Sequence, residues 1–137
     1  MDLVVDTNIL VAALLKAGTT RNLLFSSLLN LYAPEHITSE ITKYKSEFME
    51  KGDLDNSSFA AALSAILSQV YIMPKSEFSG KLDEARKICL KHPEDVPFVA
   101  LTIRLRIPVW THDKEFSKHK EIKTFSTKEL LEMLRSR

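Results

Sequence analysis

The sequence is poor in the residues that decide a function early. It holds one cysteine, Cys89, so no disulfide can close within the chain, and a reducing cell interior is the simplest setting. Cys89 falls inside a helical pattern and reads as a small buried apolar side chain, with a catalytic thiol as the sharper alternative. There are three glycines and five prolines, which excludes fibrous and low-complexity classes. Gly18, Gly52 and Gly80 are too scattered to form a dinucleotide loop or a P-loop. With one tryptophan and three tyrosines, and with Trp110 in a strand, no stacking platform for single strands is evident. Neither charge sign prevails: 19 Lys and Arg stand against 18 Asp and Glu, for a net charge of +1. Any surface for nucleic acid must therefore be a local patch. The longest uninterrupted apolar run, from Ile9 to Leu15, is too short to cross a bilayer, so no membrane role is expected. The opening carries Asp2 and Asp6 and no basic segment, which does not read as a secretory signal; a cytoplasmic location follows.

What is present is a globular composition, 45% hydrophobic over 137 residues, suited to one domain covering 1–137. The organising stretch is Leu3 to Leu15. Leu3-Val4-Val5 reads as a buried parallel strand, and Ile9 to Leu15 as a mostly buried helix. Between them, Asp6 falls at the carboxyl edge of a sheet, where open α/β sheets bind ligands. As a bland alternative, Asp6, Thr7 and Asn8 also suit a helix start.

The rest alternates strand and helix. A second helix is expected from Thr20 through Leu23, Leu24, Leu28 and Leu29, then a strand at Leu31-Tyr32-Ala33. Thr38 or Ser39 is expected to cap a third helix, with Glu40 in its first turn and Ile41, Tyr44 and Phe48 on one face. A helix over Phe59 to Leu67, a strand at Val70 to Met73 and a helix over Leu82 to Leu90 follow. Asp95 is placed as the N-cap of a helix buried through Phe98, Leu101 and Leu105. Ile107 to Thr111 and Ile122 to Phe125 read as strands, the last at an edge. Ser126 and Glu129 have capping-box spacing for a final helix to Leu134. This alternation predicts an α/β fold, a three-layer α/β/α sandwich around a mostly parallel sheet of four to five strands.

Four acids stand at element ends: Asp6, Glu40, Asp95 and Asp113. If the first, second and fourth strands are neighbours, all four can meet at one edge. Like charges held that close need a cation, and an all-oxygen donor set selects Mg²⁺ or Mn²⁺ over Zn²⁺. Capping alone could place any one of Glu40, Asp95 and Asp113.

Val4-Val5-Asp6-Thr7-Asn8-Ile9-Leu10, Thr38-Ser39-Glu40-Ile41, Glu94 to Leu101 and Trp110-Thr111-His112-Asp113-Lys114-Glu115-Phe116 occur in that order. The set resembles a PIN domain of the prokaryotic, VapC-like kind, over essentially the whole chain. The resemblance implies an Mg²⁺- or Mn²⁺-dependent ribonuclease, with Asp6, Glu40, Asp95 and Asp113 as catalytic, metal-binding acids and Thr7, Asn8 and Thr111 supporting them. It further implies an RNA substrate, a homodimer and, for a toxin, a neutralising antitoxin. His112 departs from the pattern, since many members carry Asn there; it is expected to be a neutral exposed side chain rather than an RNA ligand.

Lys114, Lys118, His119, Lys120 and Lys123, and separately Lys43 and Lys45, could meet phosphates or form a solvated surface. Leu23, Leu24, Phe25, Leu28 and Leu29 offer more apolar surface than one stripe needs, so a face for self-association is expected. Other readings are a catalytically silent RNA- or protein-binding PIN module, or a receiver domain phosphorylated on aspartate. The receiver lacks support, because one acid follows the first strand and the third ends at Met73-Pro74 without an Asp.

Overall fold

Strand β1, Asp2–Val5, runs through the middle of a five-stranded parallel sheet. The computed structural model describes residues 1–136. The sheet order is β3-β2-β1-β4-β5, where β2 is Asn30–Pro34, β3 Val70–Met73, β4 Val109–Trp110 and β5 Thr124–Phe125. Val4 aligns with Tyr32 on one side and Val109 on the other. Leu3, Val4 and Val5 are fully buried, as a strand covered on both faces requires.

Helices α1 (Thr7–Leu15) and α2 (Thr19–Leu24) link β1 to β2. Helices α3 (His36–Lys43), α4 (Lys45–Lys51) and α5 (Asn56–Leu67) link β2 to β3. Helices α6 (Leu82–Ile88) and α7 (Val96–Leu105) return the chain from β3 to β4, and α8 (Thr127–Arg135) follows β5. Right-handed crossovers put the helices of the two outgoing links on one face and those of the return on the other. The packing agrees: α1 meets α2, α3, α4 and α5, α8 meets α2, and α7 lies with α6 against β1 and β2. The result is the expected three-layer α/β/α sandwich.

From β1 the chain crosses toward β2, whereas from β4 it continues to β5 on the other side. The sheet therefore has its switch point between β1 and β4, with a crevice at their carboxyl ends. Since α7 runs back to the start of β4, its N-terminus also lies at that edge.

Several boundaries differ from expectation, each for a local reason. Helix α2 stops at Leu24, because Ser26 turns the chain: its N–H donates to the Leu23 carbonyl, and its hydroxyl accepts from the Leu28 N–H. Helix α3 begins at His36, ahead of Thr38 and Ser39. The Ser39 hydroxyl donates to the His36 carbonyl at 2.8 Å and so does not cap the helix. The third helix is broken at Tyr44 (φ −105°, ψ 20°), which is exposed. Helix α6 ends at Ile88, with Leu90 outside it and exposed. Strand β4 is reduced to Val109–Trp110, and β5 starts only at Thr124. Leu105 is half-buried rather than buried. The capping box forms as expected, with Ser126 and Glu129 exchanging 3.1 Å hydrogen bonds.

Candidate metal centre

The site grows from the end of β1. The Asp6 N–H donates to the Trp110 carbonyl at 3.1 Å, continuing the β1–β4 ladder to the crevice. Asp6 occupies the N-cap position of α1, yet its side chain makes no cap hydrogen bond. Instead its Oδ2 accepts the Thr111 hydroxyl at 2.8 Å, and that hydroxyl oxygen accepts the Asp113 N–H at 3.0 Å. Three residues across the switch point are thus fixed by one short relay. A buried carboxylate not used as a cap needs another reason to be there.

Asp6 is pushed up from 3.8 to about 6. Burial is the largest cause, opposed by the Thr111 hydrogen bond, and the Asp95 and Asp113 charges raise it further. The Thr7 hydroxyl beside it is fully buried without a hydrogen-bond partner. Orphaned buried hydroxyls are uncommon, and one at a ligand edge marks a group whose partner comes from outside the chain.

Asp95 closes a 3₁₀ turn, Pro93–Asp95, and precedes α7. It too is buried and makes no cap hydrogen bond. Burial holds its carboxyl above the ordinary range, Glu94 and Asp113 add to this, and a hydrogen bond and charge from His119 oppose it. For Asp113 a capping role is partly realised, since its Oδ1 accepts the Glu115 N–H at 2.9 Å.

Glu40 stands apart from these three. The earlier start of α3 places it beyond the first turn, where its Oε2 lies 3.2 Å from His36 Nε2. It is not among the charges acting on Asp6. Among the described residues, no group of three or more His, Cys, Asp or Glu side chains is drawn together tightly enough to hold an ion. Asn8 is exposed, Thr7 and Thr111 buried. The donor set fits a hard divalent cation by chemistry and charge: oxygens only, carboxylates under mutual repulsion, and an orphaned hydroxyl.

Two clefts flank the edge. One of about 240 Å³ is lined by Thr111, His112, Asp113, Lys114 and Ser126, and one of about 570 Å³ by Glu35, His36, Lys75, Arg86, Pro93 and Val96. His112 is exposed, as expected, but its Nε2 meets the Thr127 hydroxyl, which also accepts from Trp110 Nε1 at 3.1 Å. Of the basic residues, Lys118 pairs with Glu115 at 2.7 Å, while Lys43, Lys45 and Lys123 rest over Tyr44, Phe59 and Phe125. Lys114 and Lys120 are exposed. Cys89 is buried and its thiol is raised to about 11, chiefly by burial, so it is the packed apolar residue and not a nucleophile.

Sequence reasoning missed the histidine partners of the acids, His36 to Glu40, His119 to Asp95, and His92 to Glu94 and Glu115. The i,i+4 spacing of His36 and Glu40 was the one local signal available.

Fold and site together define a class: a doubly wound parallel α/β fold with Asp6, Asp95 and Asp113 near enough at the switch point for their charges to act on one another. The chain belongs to the PIN domain family, whose model matches residues 4–135. By structure it is similar to a chain in the crystal structure of VapBC2 from Rickettsia felis bound to a DNA fragment from their promoter. The TM-score is 0.71 at 15% identity, covering 92% of this chain and 98% of that one. At that identity the likeness is one of fold. No curated protein matches this chain by sequence.

Proposed function

We propose that this chain is a metal-dependent endoribonuclease that hydrolyses RNA phosphodiester bonds, acting as the toxin of a toxin–antitoxin pair. The observation that carries the reading is Asp6: a buried carboxylate at the switch point, unused as a cap, raised to about 6, beside an orphaned Thr7 hydroxyl. Membership of the PIN domain family supports nuclease chemistry at that point.

Asp6, Asp95 and Asp113 would hold Mg²⁺ or Mn²⁺, with Glu40 at the rim. The cation, when bound, supplies charge compensation on the scissile phosphate and an acidic site for water. The chain's own residues set the geometry. Thr111 fixes Asp6 Oδ2 and, through its oxygen, the Asp113 backbone. Thr7 and Asn8 line the start of α1, where backbone N–H groups favour an anion. Glu40, released from His36, would orient the attacking water. Lys114, exposed beside Asp113, would meet a flanking phosphate.

The antitoxin and a homodimer belong to the same proposal. The VapBC2 likeness supports the toxin reading at the level of fold. A catalytically silent RNA- or protein-binding module is the second reading, favoured by two observations: Glu40 pairs with His36, and among the described residues no three acids close on a point. Cleavage of RNA by the purified chain separates the two. Activity is expected with Mg²⁺ or Mn²⁺, none in EDTA, and none in Asp6→Asn/Asp113→Asn. Cleavage that persists in chelator or in the double variant would overturn the enzyme reading, and no cleavage under any condition would leave the binding module.

A further inference from the structure

We infer that His119 is a positioning residue for Asp95: it holds one carboxylate oxygen so that the other is presented in a fixed orientation. The inference rests on the reading of Asp95 as a metal ligand.

Three observations carry it. First, His119 Nε2 lies 3.4 Å from Asp95 Oδ2, across 24 residues of sequence. Second, both side chains are only 11% exposed. A ring so covered offers little surface to an RNA backbone, unlike the exposed Lys114 and Lys120 of the same segment. Third, the ring is itself anchored. It packs edge-on against Phe116, 5.8 Å between centroids, and Phe116 is fully buried. The His119 N–H donates to the Phe116 carbonyl, and the His119 carbonyl accepts from the Ile122 N–H.

The arrangement answers a local need. Asp95 is buried with Glu94 and Asp113 acting on it, and no Lys or Arg pairs with it among the described residues. His119 is its hydrogen-bonding side chain there, on Oδ2, and Oδ1 has no side-chain partner among the described residues. A second histidine joins the same two segments at the surface: His92 Nδ1 lies 3.6 Å from Glu94, and its Nε2 lies 3.5 Å from Glu115. The turn that carries Asp95 and the turn that follows Asp113 are thereby tied at two points. Only the His119 tie reaches a carboxylate of the proposed centre. A partner of this kind fixes the orientation of a ligand, and its loss typically weakens metal affinity by about 10–100-fold.

The test is Mn²⁺ binding by calorimetry on the full chain, with cleavage measured against Mn²⁺ concentration as a second readout. His119→Phe keeps the ring and its packing but cannot donate. It is expected to raise the Mn²⁺ dissociation constant about 10–100-fold. The half-activating Mn²⁺ concentration should rise in step, and turnover at saturating Mn²⁺ should return toward that of the native chain. A merely structural role would lower turnover at every metal concentration and leave affinity unchanged; that outcome, or native Mn²⁺ affinity in His119→Phe, overturns the inference. Should His119→Phe not fold, His119→Gln and His119→Asn decide. The Gln amide reaches as far as Nε2 and should bind Mn²⁺ within a few-fold of the native chain, the shorter Asn should not, and equal affinities overturn the inference. If the native chain itself binds no Mn²⁺, the metal-centre reading falls first and takes this inference with it.

Discussion

At the scale of the residue, Asp6 decides most. Its folded value of about 6 lies above the ordinary 3.8, so the folded chain holds the extra proton between those limits. The contribution of Asp6 to stability without metal therefore falls as pH climbs from about 4 to 6, and stays level above. Burial, more than repulsion from Asp95 and Asp113, sets the size of this effect. Asp6→Asn removes the charge and keeps an oxygen for the Thr111 hydroxyl. In EDTA at pH 7 the variant is expected to be more stable by ~1–3 kcal/mol, a gain that vanishes near pH 4, where the native acid is neutral. Thermal melts at the two pH values measure it. Added Mn²⁺ should narrow or reverse the gap, since it stabilises only a chain that retains its ligands. A variant that melts lower than the native chain at both pH values would mean that the Asp6 carboxylate supports the fold.

At the scale of the element, legibility followed how local the cause was. The β1–Asp6–α1 stretch, β3 and the Ser126–Glu129 box were readable because their signals lie within a few residues. The start of α3 was not, because Thr38 and Ser39 have good capping chemistry that the chain does not use. Likewise nothing near Asp95 in sequence announces His119, and the Thr111 hydroxyl that meets Asp6 lies 105 residues away. One strained position gives a prediction of its own. Arg106 ends α7 in the left-handed region, φ 58°, ψ 44°, where its N–H donates to the Thr102 carbonyl at 2.7 Å. A side chain there costs about 1 kcal/mol that glycine avoids, partly offset by a more flexible unfolded chain. Arg106→Gly is therefore expected to raise the melting temperature by roughly 2–4 °C. A fall would show that the Arg106 side chain contributes packing that outweighs the strain.

At the scale of the whole molecule, the apolar surplus expected in the first half divides cleanly. Leu23, Leu24 and Leu29 are core, whereas Phe25 is 42% and Leu28 54% exposed. Leu28 borders a groove of about 420 Å³ with Leu131 and Leu134, between α2 and α8. Self-association through this face predicts a dimer in sedimentation at micromolar concentration, and a shift to monomer in Leu28→Lys. A native monomer at all concentrations would remove the homodimer from the proposal.

The Thr111 hydroxyl that fixes Asp6 comes from 105 residues further along the chain. Forming that contact closes a loop of 105 residues, a long-range pairing of the kind that raises contact order and slows folding. A ribosome must therefore release β4 before the crevice at β1 has its second wall. If the chain cleaves RNA as proposed, the order of synthesis itself delays competence until β4 has joined β1.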